Sequence, residues 1–199
     1  MSRGRRGSRI DAVLQVRIHG RGGQGVVTAA ELLSLAAFDE GRHAQAFPTF
    51  GSERMGAPVT AFCRIDDRPI RAREPIAEPD ALIVQDPTLL HQVAVFSGLA
   101  ADGCVLINTE RDVAQLGIEE LAQRIVTVPA TQLAREHLGR PLPNAVLLGA
   151  FAALTGAVSL DALIKAIGEK FTGRTAEGNV RGAEAAFRVV QARPEVARA

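Results

Sequence analysis

Apolar residues crowd the run Val13-Leu14-Gln15-Val16-Arg17-Ile18 in a β-rich, alternating pattern, and a helix-forming run opens at Val26-Val27-Thr28-Ala29-Ala30-Glu31-Leu32-Leu33. Between them lies His19-Gly20-Arg21-Gly22-Gly23-Gln24-Gly25. The pattern predicts strand, glycine loop and helix, the helix ending near Glu40-Gly41. A second strand is expected at Ala44–Phe47, closed by Pro48, and a third at Val59–Ile65 before a turn at Asp66-Asp67. No helical pattern separates those two strands, so they read as an antiparallel excursion. Three short apolar runs follow, Ala81–Val84, Cys104–Asn108 and Ile125–Val128, each suited to a buried parallel strand. Asp86-Pro87 reads as a helix cap followed by proline at the first helical position. Asn144 reads as the cap of an apolar helix through Leu154, with further helices over about 160–170 and about 179–191. The fold class is therefore α/β: a Rossmann-like, doubly wound, mostly parallel sheet with a small antiparallel excursion and C-terminal helices.

Composition narrows this picture. At 199 residues the chain is one domain, placed at 13–191, after an Arg-rich tail over 1–12 that carries Arg3, Arg5, Arg6 and Arg9, and before a frayed end over 192–199. A net charge of +1 and the absence of Trp and Tyr argue against a nucleic-acid binder. Cys63 and Cys104 stand alone and read as core thiols, too few to hold an iron–sulfur cluster. The longest uncharged apolar stretch, Ala145 to Leu160, is too short to span a bilayer, so no membrane is expected and the chain reads as soluble and cytoplasmic. Residues 145–154 carry no charge and 29–37 only Glu31, which predicts an apolar surface left for other subunits.

Glycines 20, 22 and 25 satisfy the G-x-G-x-x-G spacing, which lets a ligand approach the backbone and aims helix N-terminal N–H groups at an anion. The same spacing also serves as a tight βα turn that binds nothing. A dinucleotide fold expects an acid about twenty residues on; Gln45-Ala46-Phe47 stands there, while Asp39 and Glu40 come too early. No Lys-Ser or Lys-Thr follows the glycines, which excludes a Walker site. Arg21 adds a charge suited to a phosphate-bearing ligand other than NAD. The carboxyl ends of the parallel strands gather His19, Asp86, Asn108 and Thr127 on one rim, each with a structural alternative as cap, turn or core residue. Ser52-Glu53-Arg54 between Gly51 and Gly56 exceeds what a plain hairpin turn needs, and points to function or subunit contact.

Two motifs together, His-Gly-Arg-Gly-Gly-Gln-Gly at 19–25 and Gln-Ala-Phe-Pro-Thr-Phe-Gly-Ser-Glu-Arg-Met-Gly-Ala-Pro at 45–58, resemble the gamma subunit or domain of 2-oxoacid:ferredoxin oxidoreductases. Family members often carry Pro-Glu-Arg-Arg-Gly where this chain has Ser52-Glu53-Arg54-Met55-Gly56. The resemblance implies oxidative decarboxylation of pyruvate or a related 2-oxoacid to an acyl-coenzyme A, with reduction of ferredoxin or flavodoxin. It implies alpha and beta partner subunits, and in some arrangements a ferredoxin-like delta subunit, that hold thiamine diphosphate, Mg and [4Fe-4S] clusters. This chain would serve the coenzyme A side. Gly20, Arg21, Gly22, Gly23, Gln24 and Gly25 would cradle phosphates, and Ser52, Glu53 and Arg54 would shape the neighbouring loop. A ligand-free assembly subunit and an NAD(P)-binding oxidoreductase are the alternative readings.

Overall fold

The structure, a computed structural model, describes residues 13–49 and 55–193. Ser52, Glu53, Arg54 and the terminal segments 1–12 and 194–199 lie outside the described residues.

Six strands form one sheet in the order β2-β3-β1-β4-β5-β6. They are β1 Leu14–Arg21, β2 His43–Pro48, β3 Pro58–Asp66, β4 Ala81–Val84, β5 Cys104–Asn108 and β6 Arg124–Val128. β1 pairs in parallel with β4, β4 with β5 and β5 with β6, while β3 runs antiparallel to both β1 and β2. The excursion expected from the sequence is thus present, with β3 inserted between β1 and β2. The helices are α1 Val26–Asp39, α2 Ala130–Leu138, α3 Asn144–Thr155, α4 Leu160–Lys170 and α5 Gly173–Gln191.

Strand alternation sorts the core into two faces. Val16, Ile18, Cys63, Ile83, Leu106 and Val126 point into one cluster with residues of all five helices. On the other face Leu82, Val84, Val105 and Ile107 meet Leu89, Leu90, Val95, Leu116 and Ile118 from the connecting segments. That second face departs from the expected βα alternation, because the β4–β5 and β5–β6 connections carry only 3-10 turns, Pro87–His91 and Val113–Gln115. Their apolar residues come in short clusters interrupted by glycines such as Gly98 at φ +72°, so no amphipathic helix can run through them. Buried Arg17 ties β1 to this layer, Nη2 donating to the carbonyls of Val95 (2.8 Å) and Ser97 (2.6 Å).

Four local expectations change. β1 continues through Gly20 and Arg21, since β3 pairs with it as far as Pro58, so the loop proper is 22–25. Asn144 is the first helical residue rather than the cap, and its amide lies against the glycine loop. α2 goes unread in the sequence because its buried positions are only Ala130 and Ala134. α5 starts at Gly173, six residues earlier than expected, and its Gly178 lies against α2. A Cβ on Gly178 would come within 2.8 Å of the His137 carbonyl oxygen, so a residue that weakens a helix locally is retained for close packing. The uncharged α3 is wrapped by α5 and its neighbours: from Asn144 to Ala152 every residue is buried, so its apolar circumference is a core feature and not a surface for partners.

Candidate functional site

β1 delivers the chain to the carboxyl edge of the sheet, and the turn into α1 is built on Gly23 at φ +92° and Gly25 at φ +70°, a region that L side chains avoid. Gly20 serves packing: a Cβ there would approach Val26 Cγ2 to 2.6 Å, where α1 crosses β1. A Cβ on Gly25 would overlap the Asn144 amide nitrogen, which donates to the Gly25 carbonyl at 3.4 Å. The loop is clipped to the start of β3 by Gly22 N–H to Ala57 O (2.9 Å) and Gly56 N–H to Gly22 O (3.1 Å).

Arg21 and Gln24 are turned toward Asp86. Arg21 Nε lies 3.1 Å from Asp86 Oδ2 and Gln24 Nε2 3.0 Å from the same oxygen, while Gln24 Oε1 accepts from the Arg21 N–H at 2.8 Å. The remaining guanidinium groups donate to Gly56 O, Thr88 Oγ1 and Gln92 Oε1. Partial burial of Asp86 opposes its charge, but hydrogen bonds from the Thr88 side chain, Gln24 and the Thr88 N–H, with the Arg21 charge, hold its carboxyl below the usual range. Asp86 also caps the 3-10 turn as expected, accepting from the Thr88 N–H. Arg21 is therefore not the free cation that the sequence reading assigned to a phosphate. It is compensated and it braces the loop.

The other rim residues separate. His19 is buried; its Nε2 accepts from Arg17 Nε at 3.0 Å, which puts the proton of the neutral ring on Nδ1, beside Thr60 Oγ1. Burial, and secondarily the Arg17 charge, push its pKa down to about 4. Asn108 caps α2: Oδ1 accepts from the Thr131 N–H at 3.0 Å and Nδ2 donates to Thr131 Oγ1 and to Gln85 O. The Thr127 carbonyl accepts from Arg193. Neither amide atom of buried Gln85, next to Asp86, has a partner among the described residues.

Two clefts flank the loop. The larger, about 430 Å³, is lined by Arg21, Gly22, Gly23, Gly25, the first turn of α1 from Val26 to Thr28, Met55 and Val59. The N–H groups of that first turn have no carbonyl four residues back within the helix, and the turn carries no acid. The smaller, about 190 Å³, lies where Gly23, Gly25 and Thr28 meet Leu138, Arg140, Leu142, Asn144, Phe171, Thr175 and Asn179. The sequence reading missed Met55, Asn144 and Asn179. An amide inside a strongly apolar run was the available signal for Asn144, and nothing local marked Asn179. Among the described residues no group of three or more His, Cys, Asp or Glu gathers as for a metal. Burial pushes the Cys63 thiol up to about 12, and both cysteines are buried, as expected. No helix of the described residues is long and apolar enough to cross a membrane.

The model of the family described as pyruvate ferredoxin/flavodoxin oxidoreductase matches residues 15–189. Pyruvate synthase subunit PorC of Methanothermobacter marburgensis is 52% identical over 175 residues, 88% of this chain and 96% of that protein. The pyruvate/ketoisovalerate oxidoreductases common subunit gamma of Thermococcus kodakarensis is 49% identical over 178 residues, 88% of this chain and 96% of that protein. The crystal structure of pyruvate oxidoreductase subunit PORC from Thermotoga maritima superposes with a TM-score of 0.79 at 35% identity, covering 88% of this chain and 96% of that one. A Magnetococcus marinus 2-oxoglutarate:ferredoxin oxidoreductase, solved with 2-oxoglutarate, coenzyme A and succinyl-CoA, shares the fold: TM-score 0.74 at 19% identity, over 91% of this chain and 31% of that one.

Proposed function

Because the chain belongs to the pyruvate ferredoxin/flavodoxin oxidoreductase family and is of its gamma-subunit type, we propose that it holds the phosphates of coenzyme A at residues 22–28 while partner subunits carry out the redox chemistry. The observation that carries this reading is the cleft of about 430 Å³ into which the loop and the first turn of α1 open, a turn without any acidic residue. That is the electrostatic environment an anion requires. Coenzyme A supplies a thiol that accepts the acyl group. Within this chain, Gly22, Gly23 and Gly25 allow close backbone approach, the N–H groups of Val26 to Thr28 face the negative charge, and Arg21 and Gln24, tied to Asp86, brace the loop. Ser52, Glu53 and Arg54 are assigned to the neighbouring loop. Thiamine diphosphate with Mg and the [4Fe-4S] clusters are assigned to alpha, beta and delta-type partners, ferredoxin or flavodoxin to the role of electron acceptor, and the cytoplasm to its location. The NAD(P) alternative finds little support, since β2, where the ribose-binding acid would sit, is separated from β1 by β3.

Val27→Asp tests this directly. It places a carboxylate in the first turn of α1, where the helix dipole favours it by about 0.3–1 kcal/mol, yet it opposes a bound phosphate. The expected outcome in the assembled enzyme is an unchanged or higher melting temperature with apparent coenzyme A affinity reduced on the order of ten-fold or more. Unaltered coenzyme A affinity, measured by calorimetry and by KM, would return the loop to a purely structural role.

A further inference from the structure

The antiparallel half of the sheet buries a positive charge that meets only neutral groups. Cys63 and Ile65 of β3 face the helices, so Arg64 between them points to the other face, in register with Gln15 of β1 on one side and Gln45 of β2 on the other. Arg64 is 3% exposed. Its Nε donates to Gln15 Oε1 at 3.4 Å, its Nη2 donates to the Glu74 carbonyl at 2.7 Å, and its guanidinium carbon lies 5.3 Å from the centre of the Phe47 ring. Nη1 is buried with no partner among the described residues. Gln45 Oε1 is likewise buried without a partner among them, so the row of three does not close on itself. A buried charge is costly unless it is paired, and a buried donor usually has a partner when the site is complete.

Arg64 lines a cleft of about 240 Å³ at the amino edge of the sheet, the end opposite the glycine loop. One wall is the segment that follows β3, which is held to the sheet at alternate carbonyls: Glu74 by Arg64, Ile76 by Arg17 and Glu78 by Gln15. Pro69 and Ile70 make that wall partly apolar, and exposed Arg71 adds a second positive charge. The acids of the lining are turned to the segment's own backbone. Asp66 accepts from the Arg68 N–H and Glu74 from the Arg73 N–H, each at 3.1 Å, and among the described residues no hydrogen bond of Arg64 reaches a carboxylate. The cleft is smaller than the roughly 300–1,000 Å³ of a site for a whole small molecule, so it suits one side chain.

We propose that this cleft docks a partner subunit of the same enzyme, which inserts the carboxylate of an Asp or Glu side chain against Arg64 Nη1. The chain is of the gamma-subunit type of a multi-subunit enzyme and so has a partner surface, and the docking does not depend on what the glycine loop holds. Charge selects the occupant. A peptide carbonyl would satisfy the free N–H, but a carboxylate also neutralises the buried guanidinium, in a charge-assisted hydrogen bond. The face is open to such a partner, because all five helices pack on the opposite side of the sheet. Gln15, Glu74 and Phe47 already fix the guanidinium, so little side-chain freedom is lost when the partner arrives.

The test compares the purified chain with the intact multi-subunit enzyme. Backbone hydrogen exchange of the wild type over residues 70–74 should slow on the order of ten-fold or more on assembly. Equal exchange in the free and the assembled chain would overturn the proposal without recourse to a variant. Arg64→Met, which keeps an unbranched stem and removes the charge, should speed dissociation from the partner subunits on the order of a hundred-fold, and Arg64→Lys should recover part of that loss. The melting temperature of the free chain separates docking from folding: faster dissociation at an unchanged melting temperature supports the proposal, and unchanged dissociation overturns it. Where Arg64→Met fails to fold, the wild-type exchange decides. Acetate is the probe for a free acid. If it protects residues 70–74 of the isolated chain to the extent that assembly does, a free carboxylate occupies the cleft and the docking is overturned.

Discussion

At the scale of single residues, burial rather than position in the motif decides what His19 and Arg21 do. His19 lies on β1 two residues before the strand ends at Arg21, yet it is held neutral beneath the rim by desolvation and by Arg17. Its folded pKa of about 4 lies below the 6.5 of an unperturbed histidine, so the unfolded chain binds the proton more readily. Stability from this group is complete above pH 6.5 and is lost as the pH falls toward 4. Between pH 7 and pH 5 the loss amounts to about 2 kcal/mol. The expected outcome in urea unfolding of the purified chain is that the wild type weakens over this interval by that much more than His19→Gln, which cannot titrate; parallel curves would show that His19 is not buried neutral. Arg21 teaches a related lesson. With Asp86, Gly56, Thr88 and Gln92 on its guanidinium, Arg21→Ala strips a partly buried carboxylate of its cation, so any loss of ligand affinity in that variant is entangled with the loop's own stability. Val27→Asp avoids that confusion because it adds charge without removing a brace.

Among elements, the tightest constraint is the contact of α3 with α5. Gly149 on α3 faces the backbone of Ala183 on α5, and a Cβ there would overlap the Ala183 carbonyl; on the opposite side a Cβ on Gly182 would meet Val146 Cγ2 at 2.7 Å. Backbone cannot yield as a flexible side chain does, so Gly149→Ala should force the helices apart and destabilise the chain by about 1–3 kcal/mol, whereas Gly168→Ala on α4, with nothing near its Cβ, should be neutral or mildly stabilising. Chemical denaturation of the two variants compares them, and equal midpoints would contradict the close approach. Element boundaries were readable wherever local signals were strong: β4 and β5 begin and end where the apolar runs do, and α4 follows its Ser159 cap, which accepts from the Ala162 N–H. They were unreadable where the stabilising contact is distant. α2 is capped by Asn108, twenty-three residues away from Thr131, and α5 starts on glycines whose use appears only against α2.

For the molecule as a whole, the chain is one part of a larger catalyst. Its two cysteines are buried, and among the described residues no metal-like cluster exists. On the proposed assignment of the redox cofactors to partner subunits, the pure chain should show no 2-oxoacid oxidation, and acyl-coenzyme A formation should return on mixing with those subunits; an iron or flavin absorbance band in the pure chain would contradict this. Partner surfaces cannot be sought on α3, which is enclosed, and the large apolar side chains exposed among the described residues are Phe38, Met55 and Val93. Sequence alone determined the α/β class, the antiparallel excursion, the glycine turn and the family likeness, because strand alternation, helical periodicity and turn chemistry act between near neighbours in the chain. Only the tertiary structure decided that all five helices share one face of the sheet, that Arg21 is neutralised by Asp86 sixty-five residues on, that Asn144 underlies Gly25 from 119 residues away, and that Asn179 completes a second cleft. Those outcomes depend on which distant surfaces meet when the core closes, and no local propensity encodes a contact whose partner lies on another element.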